Sequence, residues 1–250
     1  MNAEHLIRHL NAFLAIDRYA DRSNNGLQVQ CPPEVTRVAF AVDACLASFE
    51  RAVAWKAQLL IVHHGLFWSE PLLLTGAHFE RVRTLICGEC GLYAAHIPLD
   101  AHPEVGNNAQ LARMAGLTNL TPWGMHKGTP IGYIGDLPEP LPVAQLAERL
   151  AKHIGAPNRI QAAPEAIARR VAVCSGFGIT LLEEALAAGA DTLITGETSH
   201  MWFHPAAERR LSVIFGGHYN TETVGLKALA EHLEAQFGLT THFIDLPTGL

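Results

Sequence analysis

At 250 residues, 49% hydrophobic and 17% charged, the chain has enough apolar material for a large core, which excludes the disordered class. Eighteen Lys and Arg against 24 Asp and Glu leave a net charge of −6, so there is no basic footprint for nucleic acid or an anionic membrane. Five cysteines, no apolar run near the ~20 residues of a membrane span and no signal-peptide core between Met1 and Leu10 predict a cytoplasmic protein with reduced thiols.

Leu6, Ile7, Leu10, Phe13 and Leu14 recur at helical spacing, which predicts an amphipathic helix over 2–16. A polar turn over 21–26 leads into a short strand at 27–30. Apolar runs at 35–42 and 58–62 read as buried strands around a helix at 46–56, which is a βαβ unit. A helix at 79–90 and a strand at 91–95 continue it. From 121 to 164 Gly and Pro punctuate shorter segments around a helix at 142–154. The alternation then returns with a strand at 169–174, a helix at 181–188 and a strand at 192–195. A helix over 222–237 and a strand over 240–246 close the chain.

The most informative feature is an internal repeat. Residues from Val38 to His64 superpose without gaps on those from Val171 to Glu197, at an offset of 133. Leu60-Ile61 matches Leu193-Ile194, and Glu50 and Ala52 match Glu183 and Ala185. Each half then reaches an H-x-x-x-acid motif, His96 to Asp100 in the first and His218 to Glu222 in the second. The expected fold is α/β, with two similar α/β subdomains from a duplication. Each has a mixed, largely parallel sheet flanked by helices. The expected boundaries place subdomain one over 1–125 plus 218–250 and subdomain two over 126–217.

Ligands of open α/β sheets sit beyond the carboxyl ends of the strands. His63, His64, His96, Asp100, His218 and Glu222 all fall at such ends. Imidazole with carboxylate and no thiolate suits Zn, Fe, Mn or Ni rather than a structural zinc. Adjacent strand residues point oppositely, so His63 and His64 favour two ions over one. One of the six is expected to orient another rather than to ligate. Pro98 and Pro103 argue for a loop around Asp100, and Asn220 or Thr221 is the expected N-cap of a helix that begins near Glu222. Cys87 and Cys90 have C-x-x-C spacing without a second pair, which leaves a redox role open and excludes a zinc ribbon. Ser175-Gly-Phe-Gly178 is either a phosphate-cradling loop or a tight turn.

Leu60-Ile-Val-His-His-Gly-Leu-Phe67, Ala95-His-Ile-Pro-Leu-Asp100 with Gly106-Asn-Asn108, Gly217-His-Tyr-Asn-Thr-Glu222 and the early Asn25-Gly-Leu-Gln28 resemble the GTP cyclohydrolase I type 2 homologue family, the YbgI-like dinuclear metal centre proteins. The resemblance covers the whole chain and implies the short bacterial form, with the two similar α/β subdomains intertwined and the chain assembled as a homohexamer. It implies two divalent ions per chain held by His63, His64, Asp100, His218 and Glu222, with His96 beside them as a residue that orients a ligand or lines the cleft. Next to a metal-activated water, His96 is the expected catalytic group that exchanges a proton with substrate. Glu197 stands where relatives more often carry Asp and is left out of the ligand set. The implied activity is hydrolysis by a metal-activated water on GTP, a related nucleotide or another small molecule. A dinuclear phosphoesterase and a metal-binding scaffold or regulatory protein without turnover are the alternatives.

Overall fold

Short apolar runs bounded by turn residues become strands here, and longer runs with helical spacing become the helices that cover them. A computed structural model describes residues 1–155 and 159–249; residues 156–158, inside the Gly- and Pro-punctuated stretch, and residue 250 lie outside the described residues. In chain order the elements are α1 (Ala3–Phe13), β1 (Gly26–Val29), β2 (Arg37–Asp43), α2 (Leu46–Ala54), β3 (Leu59–His64), α3 (Gly76–Cys87), β4 (Gly91–Ala94), α4 (Ile97–Ala101) and α5 (Asn107–Met114). Next come β5 (Thr118–His126), β6 (Thr129–Pro142), α6 (Val143–Ile154), β7 (Arg159–Gln161), β8 (Ile167–Cys174) and α7 (Leu182–Ala187). The last are β9 (Thr192–Thr195), α8 (Phe203–Glu208), β10 (Ser212–Phe215), α9 (His218–Phe237) and β11 (Thr240–Phe243). No helix among the described residues is long and apolar enough to cross a membrane.

Two compact units result, one of Met1–Leu99 with Leu226–Leu246, the other of Asp100–Gly225 with the residues from Pro247 onward. These bounds differ from those expected near 125 and 218. The reason is that α5 packs with α6 while β5 pairs along β6, which carries residues 107–126 into the second unit.

The first unit holds a five-stranded sheet in the order β1-β4-β3-β2-β11. Its β11, β2, β3 and β4 are parallel, and β1 closes the edge antiparallel to β4. Alternate residues Ala39 and Ala41, Leu60 and Val62, and Leu92 and Ala94 pack with Phe49 of α2 and Leu85 of α3. Their neighbours Val38, Phe40, Leu59, Ile61 and Tyr93 are equally buried, as a parallel sheet covered on both faces requires. On that second face the Tyr93 hydroxyl donates to Asn11 Oδ1 of α1 at 2.9 Å.

The second unit holds a six-stranded sheet in the order β5-β6-β8-β9-β10-β7. Its parallel centre, β8-β9-β10, carries antiparallel β5-β6 on one side and β7 on the other. Leu111 of α5 and Leu146 and Leu150 of α6 bury Val171, Val173, Ile194 and Ile214.

The repeat extends to the backbone. Val38 pairs with Leu59 and Val171 with Thr192, so the offset of 133 is kept in the strand register itself. Gln58 Oε1 accepts the backbone N–H of Arg37 at 2.9 Å, and Asp191 Oδ2 accepts that of Arg170 at 3.2 Å, again 133 apart. Even the left-handed turn after the helix is shared, with φ of 61° at Lys56 and 79° at Gly189. Matching hydrogen bonds between dissimilar residues are the trace of a duplication, not of shared Ala and Leu content.

Two local expectations are corrected. Asp100 lies in the short helix α4 rather than a loop, because Pro98 occupies the first turn, where no intrahelical N–H is required. Glu222 lies one turn inside α9, which already begins at His218, with Thr221 N–H bonded to Gly217 O at 3.1 Å.

Candidate metal centres

In the first unit β3 runs buried from Leu59 and delivers His63 and His64 at its carboxyl end, while His96 follows β4 and precedes α4. The three side chains each offer one ligand atom, and these atoms lie within 4.8 Å of one another. Each ring is oriented through Nδ1. His63 Nδ1 donates to Ala95 O at 3.0 Å and His64 Nδ1 to Asp43 Oδ1 at 2.8 Å. His96 Nδ1 meets both oxygens of Asp21 at 3.0 Å. A proton fixed on Nδ1 leaves the Nε2 lone pair as the donor, the arrangement that orients metal-binding histidines.

Asp21 itself is buried, with 5% side-chain exposure. Burial pushes its carboxyl upward, but the His96 hydrogen bond and charge, Asn25 and the Ser23 N–H outweigh this and hold it well below the usual carboxylate range. Asn25 donates to Asp21 Oδ2 at 3.0 Å and accepts the His96 N–H at 2.8 Å. Gln28 Oε1 accepts the N–H of Leu66 at 2.8 Å, just beyond the histidine pair. The Asn25-Gly-Leu-Gln28 motif thus clamps the loops that carry the histidines.

In the second unit His218 sits between two carboxylates. Its Nδ1 bonds Glu197 Oε1 at 2.9 Å and its Nε2 bonds Glu222 Oε1 at 3.1 Å, one helical turn along α9. The Glu222 hydrogen bond raises the His218 pKa, burial opposes it, and the Glu222 charge with the Glu197 bond and charge brings it to about 9. Glu222 is 3% exposed, and a buried carboxylate calls for a cation beside it. Gly176, at φ 55°, makes room for this carboxylate: a Cβ there would lie 2.5 Å from Glu222 Oε1.

Asp100 is held by other means. Its Oδ1 accepts Asn107 Nδ2 at 2.9 Å and the Ser175 hydroxyl at 2.8 Å. Asn107 Oδ1 in turn accepts the Gly225 N–H of α9 at 2.8 Å, and Asn108 Oδ1 accepts the Ser175 N–H at 2.6 Å. Ser175-Gly-Phe-Gly178 is therefore a tight turn that serves the acids, since its hydroxyl and its glycine meet Asp100 and Glu222.

Asp21 and Asp43 are the functional partners that sequence reasoning missed, while Asn107, Ser175 and Glu197 stand in motifs it singled out without assigning these contacts. Glu197 occupies the repeat position of His64 as well as the place where relatives more often carry Asp. The C-x-x-C pair lies at the end of α3 as free thiols, and burial with the nearby Cys31 pushes Cys90 up to about 12. That is the reverse of an activated thiolate.

Imidazole and carboxylate donors already oriented by neighbouring oxygens fit a divalent cation of the Zn, Fe, Mn or Ni type. Residues 1–248 match the family described as Duf34/NIF3 (NGG1p interacting factor 3). The chain belongs to the Duf34/NIF3 family. A relative from Deinococcus radiodurans, called GTP cyclohydrolase 1 type 2 homolog, is 47% identical over 99% of this chain and 94% of its own length. One of the same name from Pyrococcus abyssi is 46% identical, with full coverage of both. Among solved structures, TTHA1606 from Thermus thermophilus is 46% identical with a TM-score of 0.90, covering all of both chains. The protein ybgI, described as of unknown function, is 36% identical with a TM-score of 0.91, also over all of both chains.

Proposed function

We propose that this Duf34/NIF3 protein is a hydrolase that uses two divalent ions held by His63, His64, Asp100, His218 and Glu222. The observation that carries the reading is the orientation of His63, His64 and His96 through Nδ1, with ligand atoms within 4.8 Å. The names of the relatives support GTP or a related nucleotide as the substrate to test first. When bound, divalent ions supply Lewis acidity and lower the pKa of water toward neutrality.

The chain's own residues supply positioning and proton transfer. Asp43 and Ala95 O fix the His64 and His63 rings, Ser175 and Asn107 fix Asp100, and Glu197 fixes His218. His96, backed by the Asp21 carboxylate, exchanges a proton with the substrate. A thiol nucleophile has no support at Cys174, whose pKa is driven up by burial and by the charges of Asp100, Glu222 and Glu184.

The test is a metal-replete screen over nucleotides and phosphoesters, run beside Glu222→Gln, with elemental analysis of protein purified without chelator. Two equivalents of metal, GTP turnover, and joint loss of both in Glu222→Gln are expected. A firm single equivalent removes the dinuclear reading, and full turnover by stripped protein removes the metal altogether. Turnover confined to phosphoesters assigns the phosphoesterase. Bound metal with no turnover assigns the scaffold reading, which the low charged fraction of 17% also supports. The same reading includes a homohexamer in the cytoplasm. A light-scattering mass near 27.1 kDa, that of one chain, would remove the assembly.

A further inference from the structure

The second unit contains a cleft of about 710 Å3 that runs along the edge strand β7, from Arg159 beside Phe215 at the carboxyl end of β10 to Ile167, Asp191 and Ser212 at the amino ends of β8, β9 and β10. Ser175, Glu197 and His218, which follow the carboxyl ends of β8, β9 and β10, are not part of its wall. The volume falls within the roughly 300–1,000 Å3 of small-molecule sites. Its wall includes two large apolar side chains left open to solvent, Ile160 at 40% and Phe203 at 37% exposure.

Two guanidinium groups line the same cleft. Arg159 lies over the Phe203 ring, 5.0 Å from its centroid, a cation–π contact. Arg210 enters from the turn before β10 with φ of 57°. Among the described residues neither has a carboxylate within salt-bridge distance, whereas the neighbouring Arg209 pairs with Glu183 at 2.8 Å. Of the two acids in the lining, Asp191 is already saturated by the Arg169 and Arg170 N–H groups and the Thr192 hydroxyl. The other, Glu165, is exposed.

We infer that this cleft binds a small organic anion of nucleotide size, drawn in by the charges of Arg159 and Arg210 and laid with its flat apolar body against Ile160 and Phe203. Charge complementarity selects an anion, because guanidiniums without a carboxylate partner favour phosphate or carboxylate. The exposed apolar wall selects an organic one over an inorganic ion. The site is separate from the proposed hydrolytic residues, so it stands or fails independently of that reading.

The test is calorimetric titration of the full chain with AMP as probe, with adenosine and inorganic phosphate as controls. Saturable binding of AMP is expected, with both controls at least about tenfold weaker, since each supplies half of the recognition. Arg159→Gln keeps a long side chain over Phe203, and Arg210→Asn suits the left-handed backbone. Each variant should fold with an unchanged circular dichroism spectrum and weaken AMP about tenfold or more. Glu165→Gln, which removes the one unsaturated acid, should tighten binding. No saturable binding of AMP, binding unchanged in both arginine variants, or equal affinity for adenosine would overturn the inference. So would a fall in light-scattering mass in the arginine variants, which would make the cleft a contact between copies of the chain.

Discussion

Asp21 receives the Nδ1 proton of His96 between its two carboxylate oxygens, each 3.0 Å away, across 75 positions of sequence. The carboxylate also accepts the Ile97 N–H at 3.2 Å, so one buried acid fixes both the ring and the start of α4. Its pKa is depressed in the folded chain. A depressed carboxylate contributes stability that is present above the unfolded value of about 4 and is lost as pH falls through the folded value. Asp21→Asn should therefore cost roughly 1.5–3 kcal/mol at pH 7, the worth of buried charge-assisted hydrogen bonds. The gap from wild type should narrow steadily below about pH 4. Urea unfolding at pH 7 and pH 3 reads this, and an equal gap at both would assign the loss to packing.

Asn107 joins Asp100 to Gly225 of α9 and is fully buried. Asn107→Ala strips a donor from the carboxylate and an acceptor from a buried N–H, each worth about 1–3 kcal/mol when left unmade. Ser175→Ala removes a single donor and should cost less. Thermal unfolding ranks the two, and a larger loss in Ser175→Ala would refute the network's order.

Gly176→Ala places a methyl group 2.5 Å from Glu222 Oε1 on a backbone with φ of 55°. The carboxylate must move, so Zn²⁺ affinity measured by competition with a chelator should fall at least about tenfold, a range seen when the supports of metal ligands are altered. Fold stability should fall by only the ~1–2 kcal/mol of a left-handed non-Gly residue. Unaltered Zn²⁺ affinity would separate Glu222 from the metal.

His9 and His232 share a proton between their Nε2 atoms at 3.0 Å, stacked with Phe13 and edged by Phe237. Burial, then His232 and His5, lowers the pKa of His9. A lowered histidine favours the neutral fold, so stability is retained above the unfolded value of about 6.5 and declines as pH falls below it. His9→Phe keeps a ring in the stack and removes the titration. Its Tm should fall less than that of wild type between pH 7.5 and 5.5, and parallel curves would contradict the assignment.

The sequence shows the strand-end histidines because β3 is a continuous buried run that stops at His64, and its period is unambiguous. The repeat is equally legible, since gapless spacing carries the register with it. The partners are a different matter. Asp21 and Asp43 reach their histidines over 75 and 21 positions, and no local pattern encodes a tertiary hydrogen bond. The hairpin of β5 and β6 is hidden by Pro122, Pro130, Pro138 and Pro140, which read as loop. Its real signal is Lys127-Gly128, both at positive φ, 46° and 86°, the turn that such a hairpin needs. The short helix α4 is masked in the same way by Pro98.

The two halves match in strand register but diverge in the helices that their last strands lead into. Ala94 pairs with Val62 and Phe215 with Thr195, and each helix starts three residues later, at Ile97 and at His218. Asp100 is then the fourth residue of its helix and Glu222 the fifth of its own. One residue is about 100° of rotation about a helix axis, so the two acids leave their helices in different directions from equivalent roots. His96 likewise precedes its helix, whereas His218 opens one. A graft of either motif onto the other strand end would need one residue added or removed to aim its carboxylate as the native one is aimed. Duplication supplied two copies of a frame, and a single inserted residue made them handed parts rather than spares.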